Sequence, residues 1–109
     1  MKKIIIKNQE EFDKIKIVKS DEEVIFEADR IDINCILEVF GILKLKGEIH
    51  SDWNGKYVLL KENGQIYNKS LGSSQVHNKS WDSSRIHNKS LSSSQVHNES
   101  WGSSQVHNE

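Results

Sequence analysis

Four histidines recur at ten-residue intervals, His77, His87, His97 and His107, and Tyr67 holds the matching place one interval earlier. Imidazole is the commonest protein metal ligand, so a row of them is first a candidate cation site. Each, however, adjoins a Val or Ile that a strand would turn inward, which points the ring outward, and no Cys or carboxylate recurs beside it. The histidines therefore read as a solvated ladder. No metal and no cofactor is expected, and all four become candidates for contact with a partner. His50-Ser51-Asp52 has the residue types of a hydrolase triad, but a triad is defined by geometry in space. Cys35, the single cysteine, excludes an intramolecular disulfide, and its place on the apolar side of a strand predicts a buried thiol. Asn-Lys-Ser at 68, 78 and 88 and Asn-Glu-Ser at 98 match a glycosylation acceptor, which carries meaning only behind a secretory signal. With no Gly-rich phosphate loop and no Gly-x-Ser-x-Gly, no catalytic residue is assigned and a non-enzyme is expected. Trp53, beside the turn signal Asn54-Gly55, is expected to be exposed and is a candidate partner-binding hot spot.

These residues take their places from a ten-residue phrase written four times from residue 66 and begun a fifth: IYNKSLGSSQ, VHNKSWDSSR, IHNKSLSSSQ, VHNESWGSSQ and VHNE. A unit this short buries nothing alone and must stack on copies of itself. Apolar residues return every five positions, at Ile66, Leu71, Val76, Trp81, Ile86, Leu91, Val96, Trp101 and Val106. That spacing suits neither a helix nor simple alternation. Short strands joined by tight corners, with one inward apolar residue per face, satisfy it. Ser, Asn and Gly favour the corners, and Val, Ile and Trp the strands. The fold expected is all-β, a β-solenoid (β-helix) of ten-residue repeats. A coil of one decad would stack Trp on Leu in a thin interior. A four-sided coil of two decads stacks Leu71 on Leu91, Trp81 on Trp101, and Ile66 on Ile86 and Val106. The larger coil is preferred because it explains the Leu/Trp alternation. The repeated Asn68, Asn78, Asn88, Asn98 and Asn108 predict amide hydrogen bonds along the axis, and the serine pairs predict satisfied corner backbone.

Composition narrows the partners. The chain carries 15 Lys/Arg against 16 Asp/Glu, with net −2 over residues 1–65 and +1 over residues 66–109. Neither part has the basic surplus of a nucleic-acid binder nor the acidic surplus of a DNA mimic. Pro is absent, as suits paired strands. After Met1-Lys2-Lys3 only Ile4, Ile5 and Ile6 precede the next charge, too short for a signal peptide. No apolar run would span a bilayer. A cytoplasmic protein without membrane contact is expected.

Ahead of the repeats, residues 3–7 read as a strand, and Asn8 with Glu11 three residues on predicts an N-capped helical turn through Phe12 to Lys14. Two short strands flank Ser20-Asp21, which makes residues 1–30 a small α/β cap. Over residues 31–65, Ile31, Ile33, Cys35, Leu37 and Val39 and then Leu43, Leu45 and Ile49 share one side, interrupted by Gly41 and Gly47. These residues predict irregular β coils, with a hairpin at Asn54-Gly55 and a returning strand from Tyr57 to Leu60. Residues 66–109 form the regular solenoid. The phrase stops at Glu109 without a capping element, so an open C-terminal end is expected. Unpaired strand edges there make Trp101, Val106, His107 and Asn108 candidates for self-association into a homodimer.

The five-residue apolar spacing resembles that of pentapeptide-repeat proteins, four-sided β-helices some of which imitate DNA. Ser74, Ser84, Ser94 and Ser104 fit the small residue that pattern wants, while Lys69, Lys79, Lys89 and Glu99 depart from it. Lys7-Asn8-Gln9-Glu10-Glu11-Phe12-Asp13, followed by Ser73-Ser74-Gln75-Val76 and its copies, is similar to small phage and prophage proteins with short Ser-Ser-x-Val repeats. The run from Val39 to Ile49 also faintly resembles bactofilin coils. The phage likeness implies a mobile-element origin. The function expected is a non-enzymatic protein-binding solenoid, an adaptor or inhibitor acting on a host or virion protein. The alternatives are a structural protein that self-assembles through its open end and a DNA-mimic inhibitor of a DNA-binding enzyme.

Overall fold

A computed structural model describes all 109 residues. In chain order the elements are β1 (Lys2–Ile6), α1 (Gln9–Asp13), β2 (Ile17–Val18), β3 (Glu22–Asp32), β4 (Leu37–Val39) and β5 (Ile42–His50). They are followed by β6 (Val58–Leu60), β7 (Gln65–Ser70), β8 (Gln75–Ser80), β9 (Arg85–Ser90), β10 (Gln95–Ser100) and β11 (Gln105–Asn108). The odd-numbered strands stack in parallel on one face and the even-numbered strands on the other. The chain winds as a β-solenoid of about five turns. No helix is long and apolar enough to cross a membrane.

The coil of two decads is the one adopted: Ile66 faces Ile86, and Ile86 faces Val106, each pair twenty residues apart. It has two strands and two tight corners rather than four sides. Each six-residue strand alternates, so Ile66, Asn68 and Ser70 of β7 and Val76, Asn78 and Ser80 of β8 turn inward and are buried. The Leu or Trp at the sixth position of each decad is not inward, contrary to the one-per-face reading. Trp81, Leu91 and Trp101 begin corners and are more than two-fifths exposed. The interior at the corner is instead a serine. Ser74 and Ser84 are fully buried, and their hydroxyls donate to Leu71 O and Trp81 O at 2.7 Å. The amide ladder forms in the interior, from each coil to the next. Asn68 Nδ2 donates to Asn88 Oδ1 at 2.9 Å, Asn88 to Asn108 at 2.8 Å, and Asn78 to Asn98 at 3.2 Å.

The early coils hold the apolar core. Seventeen buried hydrophobics form one cluster, with Phe26, Leu43, Leu45 and Leu60 among them. Asn8 caps α1 by accepting the Glu11 N–H at 2.8 Å, and Phe12 stacks on Phe26 at 4.8 Å, so the helix seals the first coils. Cys35 is only partly buried, at the margin of the core. At Gly64 a Cβ would lie 2.0 Å from Val39 O, so the approach of two coils there requires glycine. The Asn54-Gly55 turn does not open a full hairpin. A single antiparallel bridge joins Asp52 and Lys56, after which β6 pairs in parallel between β4 and β8. The segment from Ser51 to Tyr57 is thus an excursion from a regular coil, because the next strand must rejoin the stack in its existing direction.

Candidate binding faces

A twenty-residue coil divides the histidines into two rows. On the even face, His77 stacks on His97 with ring centroids 4.6 Å apart. The excursion sets Trp53 edge-on against His77 at 4.9 Å and against Tyr57 at 5.6 Å. Lys79 lies over both aromatic rings, 4.8 Å from Tyr57 and 5.5 Å from Trp53, and its ammonium approaches Glu99 at 4.0 Å. Trp53 remains 37% exposed. Three contacts therefore orient an accessible indole on a sheet whose backbone is paired on both sides. The clustering of Tyr57, Lys79 and Trp53 with His77 escapes a linear reading, since the excursion supplies Trp53 and Tyr57 and the repeat supplies His77 and Lys79.

Ser51 also reaches this face. Its Oγ lies 3.2 Å from His77 Nδ1, a distance at which a histidine could activate a nucleophile. The same Oγ donates to Gln75 O at 3.0 Å and accepts the His77 N–H at 2.7 Å, which ties the excursion to β8. Asp52 accepts the Asn54 N–H at 2.8 Å and shapes the turn. His50 lies 3.3 Å from Glu48 instead, so the consecutive His50-Ser51-Asp52 does not assemble as a unit. No three His, Cys, Asp or Glu side chains converge as a ligand set.

On the odd face, Tyr67 stacks on His87 at 4.5 Å and 4°, and His87 on His107 at 5.2 Å and 10°. Lys44 stands over Tyr67 at 5.6 Å and pairs with Glu23 at 3.3 Å. Two residues along each strand runs a second outward row, Lys46, Lys69 and Lys89, in register across β5, β7 and β9. Between the rows lies an open groove of about 560 Å³. None of these three lysines has a carboxylate within 4.0 Å, whereas Lys61 and Lys79 of the even face reach Glu38 and Glu99. Strands about 4.8 Å apart place like charges where repulsion in water is about 0.9 kcal/mol per neighbouring pair before salt screening. This row was readable as Lys69 and Lys89, twenty residues apart, but the added residues of the excursion hide Lys46.

Burial and the neighbouring His97 hold the His77 pKa below its ordinary 6.5. Burial, His107 and Arg85 lower that of His87 in the same way. Glu48, beside His50 and accepting the Ser73 N–H, is held below 4.5. The four residues expected to self-associate, Trp101, Val106, His107 and Asn108, all lie on the last coil. Trp101 meets Trp81 edge-on at 5.8 Å, Val106 and His107 continue the β9 rows, and Asn108 extends the amide ladder. Comparison of the chain with protein-family models, with curated proteins and with solved structures finds no match in any of the three.

Proposed function

We propose that this protein is a non-enzymatic binding solenoid that docks a protein partner on its even face, with Trp53 as anchor and Tyr57, His77 and Lys79 as its frame. The observation that carries this reading is an exposed indole fixed by two aromatic edges and a cation on a rigid parallel sheet. Binding hot spots are enriched in tryptophan, and orientation before contact lowers the entropy lost on association. The likeness to phage and prophage repeat proteins makes a host or virion protein the partner class, and inhibition or bridging the consequence of occupancy.

The test is retention of a host protein from lysate on immobilised full-length protein, compared with a Trp53→Ala variant of unchanged circular dichroism. One protein, identified by mass spectrometry and retained at least about tenfold less by the variant, is the expected result; a tenfold loss corresponds to about 1.4 kcal/mol. Equal retention by the two proteins, or none by either, overturns the assignment of this face.

A further inference from the structure

Rings stacked face to face beside unpaired lysines define a chemistry different from that of Trp53. We propose that the odd face binds a carboxylate-rich, extended segment of a protein partner, laid along the solenoid axis in the groove between the Lys46–Lys69–Lys89 row and the Tyr67–His87–His107 row. The inference rests on the protein-binding reading and supplies a second contact chemistry for it.

Charge complementarity selects the occupant. The three lysines stand one strand spacing apart with no carboxylate within 4.0 Å, while Lys61 and Lys79 of the even face are paired. An anion bridging neighbouring ammonium groups relieves their repulsion and gains charge-assisted hydrogen bonds. His87, on the groove lining, has a buried Nε2 that makes no hydrogen bond within the protein. Glu27 and Glu109 border the groove and limit the length of anion it accepts. Ring geometry argues against single-stranded nucleic acid. Bases need free aromatic faces to stack on; both faces of His87 are closed by Tyr67 and His107 at 4.5 and 5.2 Å, and Lys44 stands over Tyr67, so the outer face of His107 alone is left. A single free face cannot carry a run of stacked bases, whereas the rings that line the groove suit oxygen acceptors at their edges. A duplex wants a broad basic surface, and this chain is net −1.

The test uses the full chain and a fluorescent ten-residue oligoglutamate peptide as probe, followed by anisotropy at about 50 mM salt. Binding is expected to weaken at least about tenfold in the Lys46→Gln/Lys69→Gln/Lys89→Gln variant and also when salt is raised to about 500 mM. It should be unchanged in Lys61→Gln, whose lysine pairs with Glu38 on the other face. Glutamine keeps much of the aliphatic stem, and thermal melts verify the fold; if the triple variant unfolds, the single Lys69→Gln variant is used, with at least about a threefold loss expected. Equal affinity for wild type and lysine variants, or no binding at millimolar peptide, overturns the proposal. Tighter binding of a ten-nucleotide single strand than of the peptide overturns it in favour of nucleic acid. Loss of partner retention in Trp53→Ala is read separately, so failure of either face is distinguishable from failure of the other.

Discussion

At the scale of single residues, His77 and His87 are groups whose state in the fold departs from that of a free imidazole. His77 is stacked on His97 and His87 on His107, at 4.6 and 5.2 Å, so a proton on one ring raises the cost of a proton on the next. Burial is the larger cause of the lowered pKa in both His77 and His87, and the neighbouring imidazole follows. The sign follows from linkage. A histidine held below 6.5 in the fold binds its proton more readily in the unfolded chain. The stability it contributes is therefore fully present above about pH 6.5 and is lost as pH falls from there through the folded value. Glu48 acts in a separate window, because its depressed pKa contributes stability above 4.5 that is lost at lower pH. The melting temperature should thus be level from about pH 8 to 7 and decline below 6.5, with the decline reduced in a His77→Gln/His87→Gln variant. An identical slope in wild type and variant, measured by circular dichroism melts, would place the pH response elsewhere.

At the scale of elements, the corner explains the variable place in the decad. Glu62, Gly72, Asp82, Ser92 and Gly102 occupy the same corner position, and all have positive φ, between 55° and 68°. Glycine adopts this left-handed conformation freely, whereas a side chain carries a cost of roughly 1 kcal/mol. Asp82 offsets part of it by accepting the Glu62 N–H at 3.3 Å. Ser92→Gly should accordingly stabilise the protein by roughly 0.5–1 kcal/mol, and Gly72→Ala, whose Cβ would also approach Glu48 Oε1 at 3.2 Å, should destabilise it by at least as much. Urea midpoints moving in opposite directions would bear this out, and a rise for Gly72→Ala would sink it. The same corner marks what a sequence can disclose. The two-decad coil is legible because Leu and Trp alternate with its period, and the Asn8 cap because Glu11 lies at the required distance. The inward set is less legible, since a five-residue rule treats Ile66 and Leu71 alike. Strand alternation instead turns Ile66, Asn68 and Ser70 inward and sends Trp81 to a corner. The split of the histidines between faces follows from the coil, but the meeting of Trp53 with His77 depends on the path of the excursion, which no periodicity encodes.

At the scale of the whole molecule, the interior changes character along the axis. Following inward positions through the stack, Phe26 and Leu45 give way to Asn68, Asn88 and Asn108, and Val39 and Leu60 to Ser80 and Ser100. A buried leucine contributes roughly 1.5–3 kcal/mol by leaving water, while a hydrogen bond between buried amides contributes nearer 1 kcal/mol net. Ile66, Val76 and Ile86 remain apolar and buried, so the decad coils are held by one aliphatic residue per strand together with the amide and hydroxyl ladders. In a solenoid each coil contacts only its neighbours, and stability is close to a sum of coil and interface contributions. Local stability should therefore be graded rather than uniform. Native-state hydrogen exchange followed by mass spectrometry should find the amides of β3 and β5 most protected, those of β7 and β8 intermediate, and those of β10 and β11 first to exchange. Replacing Asn68 by Leu would extend the Leu45 column but leave Asn88 Oδ1 without its donor, so the gradient should not be abolished by apolar substitution at one rung. Equal protection factors from β3 to β10 would instead mean that the amide ladder holds a coil as firmly as the aliphatic core does, and that the solenoid opens as one unit.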